Sequence, residues 1–319
     1  MQQPDSRATR LLSSSCDDGT QATHAQASTR PPTRRRMLGM GLAGMGLAGV
    51  GLGALLASPA AHAELAEVRE RGSLKIALYK SNLPFSDVGT SGMQGVDAAL
   101  GKAIAERLKL GVQWLPFEAG ENLNDDLRNM VWRGHYLGYG PADLMLQVPI
   151  DKRLIAATGQ VEFLSPYYRH QLGWLVHDQI ATTDLRNFQL EGLSLAAEIG
   201  TAAAGALLGQ GGGQYRSAVK LQNNGVDAAL GVLNSQWDAA YVTRAQAESA
   251  LAQAPNKRAA RFEPMVLQGT PANGWAVGMA IKSGQPELAK AIGLAMKSLQ
   301  EDGTLVAIYR AQGLQLIHP

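Results

Sequence analysis

The sequence predicts an α/β fold, and three observations support this prediction. Short runs of aliphatic residues recur along the chain, and runs of this kind are typical of buried strands. Between them lie longer segments with an apolar residue at every third or fourth position, which is the spacing of an amphipathic helix. The two kinds of segment alternate from Leu74 onwards, which favours sheets covered by helices over an all-helical or all-strand protein.

The first block of this pattern ends near Pro149, a residue that interrupts a central strand. Strands are expected at 74–78, 112–116 and 142–146, and helices at 96–108 and 121–134. The first of these helices carries an apolar residue at every fourth position, namely Val96, Leu100, Ile104 and Leu108. We expect this stripe to face the core.

A second block begins near Asp184. Strands are expected at 193–196, 219–221, 237–242 and 275–281, and helices at 200–208, 225–233, 245–252, 286–302 and 304–311. The glycine-rich stretch at 209–214 lacks the Lys-Ser/Thr pair of a phosphate-binding loop, so it is interpreted as a surface loop. A basic surface loop is expected at 255–261.

Residues 1–63 have the pattern of an export leader rather than of a folded domain. A polar stretch is followed by Thr33-Arg34-Arg35-Arg36-Met37, an apolar run at 37–57 and the small-residue motif Ala61-His62-Ala63. A charged region, an apolar run and a cleavage motif in this order indicate a signal peptide, here with a twin-arginine character. A transmembrane anchor is the alternative, but seven glycines between Gly39 and Gly53 weaken it. We therefore expect a periplasmic protein with no membrane insertion after cleavage.

Composition argues against several classes of function. The chain has 29 basic and 27 acidic residues, but six arginines lie in the leader, so the remainder is nearly neutral and no nucleic-acid partner is expected. Its one cysteine, Cys16, also lies in the leader. The six histidines are scattered without spacing of four residues, so no metal or other cofactor is expected. No Gly-x-Ser-x-Gly motif occurs, and the chain is interpreted as a binding protein, not an enzyme.

Several motifs occur in an order that is more informative than any of them alone. They are Leu74-Lys75-Ile76-Ala77, Leu83-Pro84-Phe85-Ser86, Gln94-Gly95-Val96-Asp97, Asp143-Leu144-Met145-Leu146, Phe163-Leu164-Ser165-Pro166-Tyr167-Tyr168, Glu198-Ile199-Gly200-Thr201 and Asp302-Gly303-Thr304-Leu305. In this order they resemble the solute-binding proteins of ABC transporters, of the polar-amino-acid type (family 3). The resemblance covers nearly all of the chain after the leader.

This resemblance implies a two-lobed type II periplasmic binding protein fold with a ligand cleft between the lobes. Lobe one is expected at 64–178 plus 268–319, and lobe two at 179–267. The implied function is capture of a small polar or anionic solute by hinge closure, for delivery to an ABC transporter permease.

Seven residues are candidate ligand contacts: Tyr79, Phe85, Gln147, Arg153, Gly200, Thr201 and Thr243. The two aromatic residues could wall the ligand, although core packing is an equal alternative for them. The predicted helix start at Gly200-Thr201 offers N–H groups to an anion, and Arg153 offers a bidentate contact to a carboxylate unless it forms a surface ion pair. Gln147 begins the stretch where the family has a Thr-rich loop, and Thr243 stands near the position of the family's amine-binding Asp.

These departures from the family leave two alternatives open. The chain also resembles binding-protein-like accessory proteins of periplasmic quinoprotein alcohol dehydrogenases, in which case its partner is a periplasmic dehydrogenase. A dehydratase of cyclohexadienyl acids on the same fold is the other alternative, and it requires an acid or base with a shifted pKa in the cleft.

Overall fold

The computed structural model describes residues 59–319 except 181–184, 186–188 and 255–258. The predicted arginine motif and the apolar run of the leader lie outside the described residues. The predicted cleavage motif Ala61-His62-Ala63 falls within the first described helix. None of the helices that the structure describes combines the length and the apolar character needed to cross a membrane.

The described elements alternate as the sequence predicts, with short strands and mostly short helices. The strands are β1 Ser73–Tyr79, β2 Asp87–Gly89, β3 Gly92–Gln94, β4 Gly111–Phe117, β5 Leu144–Pro149, β6 Val161–His170, β7 Leu172–His177, β8 Leu195–Glu198, β9 Val219–Gln222, β10 Ala239–Thr243, β11 Ala260–Pro264 and β12 Trp275–Lys282. The helices are α1 Pro59–Arg71, α2 Val96–Arg107, α3 Leu123–Leu127, α4 Lys152–Ala157, α5 Ala202–Gly209, α6 Gly225–Leu233, α7 Arg244–Gln253, α8 Pro286–Glu301 and α9 Thr304–Ala311.

The first sheet has the order β4-β1-β5-β12-β6. Strands β4, β1 and β5 run parallel, and β12 runs antiparallel to both of its neighbours. Helix α2 buries Val96, Leu100 and Ile104 in the core of this sheet, each with 0% exposure. Leu108, the last residue of the predicted stripe, follows the end of the helix and is half-buried.

The second sheet has the order β11-β7-β10-β8-β9. Strands β8, β9 and β10 are parallel, whereas β7 is antiparallel to β10 and β11. Its two faces are covered by separate apolar clusters, one with α5 and the other with α6 and α7. Both sheets are therefore covered by helices, as expected for an α/β protein.

The chain passes twice between the sheets. Strand β6 of the first sheet ends at His170 and β7 of the second begins at Leu172, and the chain returns between β11 and β12. The lobe boundaries given above remain a proposal. In the structure, β7, which that proposal assigns to lobe one, pairs within the second sheet.

The sequence-based elements need corrections at four places. The basic loop predicted at 255–261 runs into β11, which includes Ala260 and Arg261, while 255–258 lie outside the described residues. The helix predicted at 121–134 consists of the five-residue α3 followed by a π-helical turn at Arg128–Trp132. The strand predicted at 142–146 begins at Leu144 and continues to Pro149. The glycine-rich loop forms a short 3-10 turn in which Gly211 and Gly212 have φ values of 56° and 68°.

Candidate functional site

A cavity of about 460 Å³, hereafter the central cavity, lies where the ends of strands from both sheets meet. Next to the first sheet it is lined by Tyr79, Lys80, Ser81, Asn82, Phe85, Ala119, Leu123, Gln147, Pro149, His170, Trp275 and Val277. Next to the second sheet it is lined by Leu172, Glu198, Thr201, Ala202, Ala203, Tyr241, Thr243 and Gln246. The carboxyl ends of the parallel strands β1, β5, β8 and β10 all reach it, which is where open α/β sheets bind ligands.

The structure brings five of the seven predicted contacts to this cavity. Tyr79, Phe85, Gln147, Thr201 and Thr243 line it. The other two are not among the lining residues. Gly200 precedes the Thr201 cap of α5 with a φ of 76°, and Arg153 is exposed in the first turn of α4.

A buried hydrogen-bond network lies behind the cavity wall formed by the first sheet. Asp97 is 0% exposed and accepts hydrogen bonds from Tyr167 Oη at 2.8 Å and from Gln147 Nε2 at 2.8 Å. Burial raises the pKa of the Asp97 carboxyl to about 7, although both hydrogen bonds act in the opposite direction. Gln147 itself has a φ of 63°, and its backbone N–H donates to Tyr167 Oη at 3.0 Å.

His170 joins this network to the cavity. Because the amide nitrogen of Gln147 donates to Asp97, its Oε1 faces His170 Nε2 at 3.0 Å, and the hydrogen-bond pattern places the proton on Nε2. Burial lowers the pKa of His170 to about 3, so the ring is neutral at physiological pH. The ring stacks on Trp275 at a centroid distance of 4.8 Å and meets Phe85 edge-on at 4.9 Å.

A second fixed amide lies at the wall formed by the second sheet. Gln246 and Thr243 form a capping box at the start of α7, in which Thr243 N–H donates to Gln246 Oε1 at 3.0 Å. The amide nitrogen of Gln246 then donates to Glu198 Oε2 at 2.7 Å. Burial raises the pKa of Glu198, against the hydrogen bonds from Gln246 and the Gly225 backbone.

Tyr79 links the cavity to a second buried carboxylate, Asp126. Its hydroxyl donates to Asp126 Oδ2 at 2.9 Å, and the other oxygen of Asp126 accepts from Gly120 N–H at 2.8 Å. Burial raises the pKa of Asp126. The neighbouring Lys80 has its Nζ 3.7 Å from Glu118 Oε1, and its side chain is 39% exposed.

Comparisons with known proteins identify the fold. No protein-family model matches the chain, and no curated protein matches it in sequence. Among solved structures, an ancestral cationic amino acid solute-binding protein matches with a TM-score of 0.58 and 22% identity, over 78% of this chain and 98% of that one. The chain has the two-lobed fold of the periplasmic solute-binding proteins.

Two further matches have the same character. An amino acid ABC transporter substrate-binding protein from Streptococcus pneumoniae, bound to L-arginine, matches with a TM-score of 0.54 and 19% identity over 79% of this chain and 99% of that one. A cysteine-binding protein from Campylobacter jejuni matches with a TM-score of 0.54 and 19% identity over 80% and 99%. The fold predicted from the sequence motifs is thereby confirmed.

Within this two-lobed fold, sequence reasoning missed several cavity residues. Gln246 follows Thr243 by three residues, so the capping-box pattern was present in the sequence as a signal. Glu198 lies two residues after the strand predicted at 193–196, and His170 follows the Pro166-Tyr167-Tyr168 motif by two residues, but neither position by itself indicates a cavity. Within the described residues, no three His, Cys, Asp or Glu side chains come together in a way that would hold a metal ion.

Proposed function

We propose that the protein captures a small polar solute in the central cavity, by hinge closure of two lobes, and presents it to an ABC transporter permease. The observation that carries the proposal is the cavity itself, which is lined from both sheets by aromatic rings and by two amides of fixed orientation. A cavity of 300–1,000 Å³ with an apolar lining and a few placed polar groups is typical of small-molecule sites.

The proposed solute is polar, and the support for a negative charge on it is weaker than the sequence suggested. The prediction of an anion rested on Arg153 and on the helix start at Gly200-Thr201. Arg153 is not among the cavity residues, which leaves the N-terminus of α5 as the support for an anion.

A thermal-shift screen against amino acids, organic acids, alcohols and amines tests the proposal. A ligand at about 100 times its Kd should add about 2.7 kcal/mol to the free energy of unfolding. This corresponds to a rise in Tm of a few degrees for a protein of this size. Calorimetric titration of each hit then gives its Kd.

A cavity-filling variant provides the matched control. Ala202 lines the cavity and is exposed, so Ala202→Trp should fill the cavity without disturbing the core and should abolish the shift. Gly205→Trp places the same side chain on the same helix where nothing lies within 4 Å, and it should leave the shift intact. Equal shifts in both variants would place binding outside the cavity.

One observation favours an accessory role as a second candidate. The loop at 136–139 exposes Tyr136 by 87% and Leu137 by 67%, and exposed apolar side chains of this kind are used in protein contacts. We propose as the alternative that the protein binds a periplasmic dehydrogenase. Co-purification with such an enzyme, together with a screen in which no small molecule shifts the Tm, would favour this role.

A dehydratase on the same fold is a less favoured proposal. It needs an acid at the cavity wall, and Glu198 is the candidate because burial raises its pKa. Turnover of a cyclohexadienyl acid by the wild-type chain, lost in Glu198→Gln, would establish this activity.

A further inference from the structure

Three carboxyl groups lie at the central cavity or directly behind its wall, two of them buried and one half-buried. Glu198 lines the cavity, Asp126 lies behind the lining residue Tyr79, and Asp97 lies behind the lining residue Gln147. Within the part of the chain that the structure describes, none of these three carboxylates has an ion-pair partner. Lys80, the one lysine among the described residues that line the cavity, lies beside Glu118 and is partly exposed, so its charge is both paired and screened.

The hydrogen bonds hold each of these carboxylates as an acceptor. Gln246 can offer only its NH2 group to Glu198, because its oxygen is used by Thr243 N–H. Asp97 receives an O–H and an N–H donor, and Asp126 likewise receives the Tyr79 hydroxyl and a backbone N–H. Donors at every carboxylate favour the charged form, whereas burial opposes it. A cation in the cavity would resolve this conflict.

His170 adds an acceptor that lacks a donor. Its side chain lines the cavity and is 7% exposed, and its Nε2 carries the proton in the contact with Gln147. Its Nδ1 is therefore an acceptor, and this buried atom has no hydrogen-bond partner among the described residues. A buried acceptor without a partner is rare in proteins and calls for a donor.

The remaining walls suit a cation with an apolar body. Four aromatic side chains, Tyr79, Phe85, Tyr241 and Trp275, line the cavity, and the faces of such rings attract cations. No arginine is among the lining residues of the described chain, so a carboxylate would have no guanidinium to bind. At the start of α5, Thr201 Oγ1 already accepts a hydrogen bond from Ala204 N–H. The N–H groups of Ala202 and Ala203 can be satisfied by a neutral oxygen acceptor, so the helix start does not require an anion.

We propose that the central cavity selects an organic ammonium compound with an apolar or aromatic body and without a carboxylate, and that Glu198 is the residue that binds the ammonium group. This inference rests on the proposed function, since it names the class of solute for the same cavity. An ammonium group carries three N–H donors, which suits a site whose open groups are acceptors.

The test uses two series of probes, each with one carbon skeleton and three end groups. They are benzylammonium, benzyl alcohol and benzoate, and butylammonium, butanol and butyrate. In calorimetric titrations the ammonium member of at least one series should bind at least about tenfold more tightly than its alcohol and its carboxylate, since charge-assisted hydrogen bonds are about twice as strong as neutral ones.

Two variants locate the effect. Glu198→Gln preserves the size of the side chain and an oxygen for Gln246, and it should weaken ammonium binding at least about tenfold while leaving the alcohol nearly unchanged. Glu191→Gln makes the same change of charge at an exposed position that does not line the cavity, and it should alter neither. The discrimination among end groups by the wild-type protein does not depend on how well either variant folds.

The outcomes separate this inference from the proposed function. If an alcohol or a carboxylate-bearing compound binds the cavity as tightly as the best ammonium compound, the inference is overturned and solute binding stands. The inference also fails if Glu198→Gln folds and binds ammonium compounds as the wild type does. If neither the probes nor any member of the wider screen binds, the proposed function is overturned, and the inference with it.

Discussion

At the central cavity, two glutamine side chains are fixed by hydrogen bonds to neighbouring carboxylates. Gln147 donates to Asp97 and accepts from His170, while Gln246 donates to Glu198 and accepts from the backbone N–H of Thr243. An amide that is held at both ends presents the same groups to every ligand. Such preorganisation lowers the cost of ordering side chains on binding.

The titration of Asp97 should appear in the stability of the protein. Its folded-state pKa of about 7 lies above the ordinary value of 3.8, so the folded state holds its proton more tightly than the unfolded state. The stabilisation from this proton is fully present below about pH 4, and it is lost as the pH rises to about 7, at up to about 1.4 kcal/mol per pH unit. Asp97→Asn should remove this contribution, because the amide of asparagine does not titrate.

Urea denaturation from pH 4.5 to pH 8 measures this effect. Glu198 and Asp126 also have raised pKa values, so the difference between wild type and Asp97→Asn isolates the one group. The free energy of unfolding of the wild type should fall relative to that of the variant as the pH rises. Parallel curves would show that Asp97 titrates at its ordinary pKa.

These residues also show which parts of the site could be predicted from the sequence. Gln147 was predicted as a contact from its place in the chain, but Asp97 and His170 were not. The hydrogen bonds that connect Gln147 to them join residues 50 and 23 positions apart, and no local pattern encodes such a pairing. Arg153 was predicted as a contact because its guanidinium could bind a carboxylate, yet it is exposed in the first turn of α4 and is not among the residues that line the cavity.

Among the elements, the starts of α5 and α7 face the cavity and are both capped by a threonine. Thr201 Oγ1 accepts from Ala204 N–H, and Thr243 Oγ1 accepts from Gln246 N–H. The sequence predicted helices at 200–208 and 245–252, close to the observed α5 and α7, although neither helix has a marked apolar periodicity. Apolar periodicity misplaced the helix at 121–134, since the spacing of apolar residues does not distinguish an α-helical from a π-helical turn.

The cap of α7 should contribute measurably to stability. Thr243→Ala removes the side-chain acceptor for Gln246 N–H and should lower the free energy of unfolding by about 1 kcal/mol. Thr243→Ser retains the hydroxyl acceptor and should stay close to the wild type, which makes it the matched control. Chemical denaturation of the three proteins gives the comparison. A loss in Thr243→Ser as large as that in Thr243→Ala would mean that the methyl group of Thr243, not its oxygen, stabilises the helix.

At the scale of the whole molecule, two chain segments connect the sheets, and both pass beside the cavity. The outward segment contains Gln171, whose backbone and side-chain oxygens accept hydrogen bonds from Arg244 of α7. The return segment ends at Gly274, next to the lining residue Trp275. The order of motifs in the sequence predicted a two-lobed fold with such crossings, because the motifs are spread over nearly all of the chain after the leader. It did not indicate how closely the two segments approach each other.

Gly274 of the return segment packs directly against His170 of the outward segment. It has a φ of 64°, and a Cβ built on it would overlap the carbonyl oxygen of His170 on the outward segment. Gly269 lies on the same return segment with a φ of 94°, but a Cβ there would meet nothing within 4 Å. Alanine at either position incurs the cost of a left-handed backbone, about 1 kcal/mol, and only at Gly274 does it also force the two crossing segments apart.

We therefore expect Gly274→Ala to lose about 1–3 kcal/mol more stability than Gly269→Ala, the usual cost of overpacking. It should also weaken the ligand-induced rise in Tm. The new methyl group would push His170 away from Gly274, and the His170 ring stacks on Trp275 in the cavity wall. Urea denaturation and the thermal shift of both variants measure the two effects. Equal losses of stability in the two variants would show that the crossing segments have room to separate at Gly274. An unchanged ligand response in Gly274→Ala would show that close packing at this glycine does not determine ligand binding in the cavity.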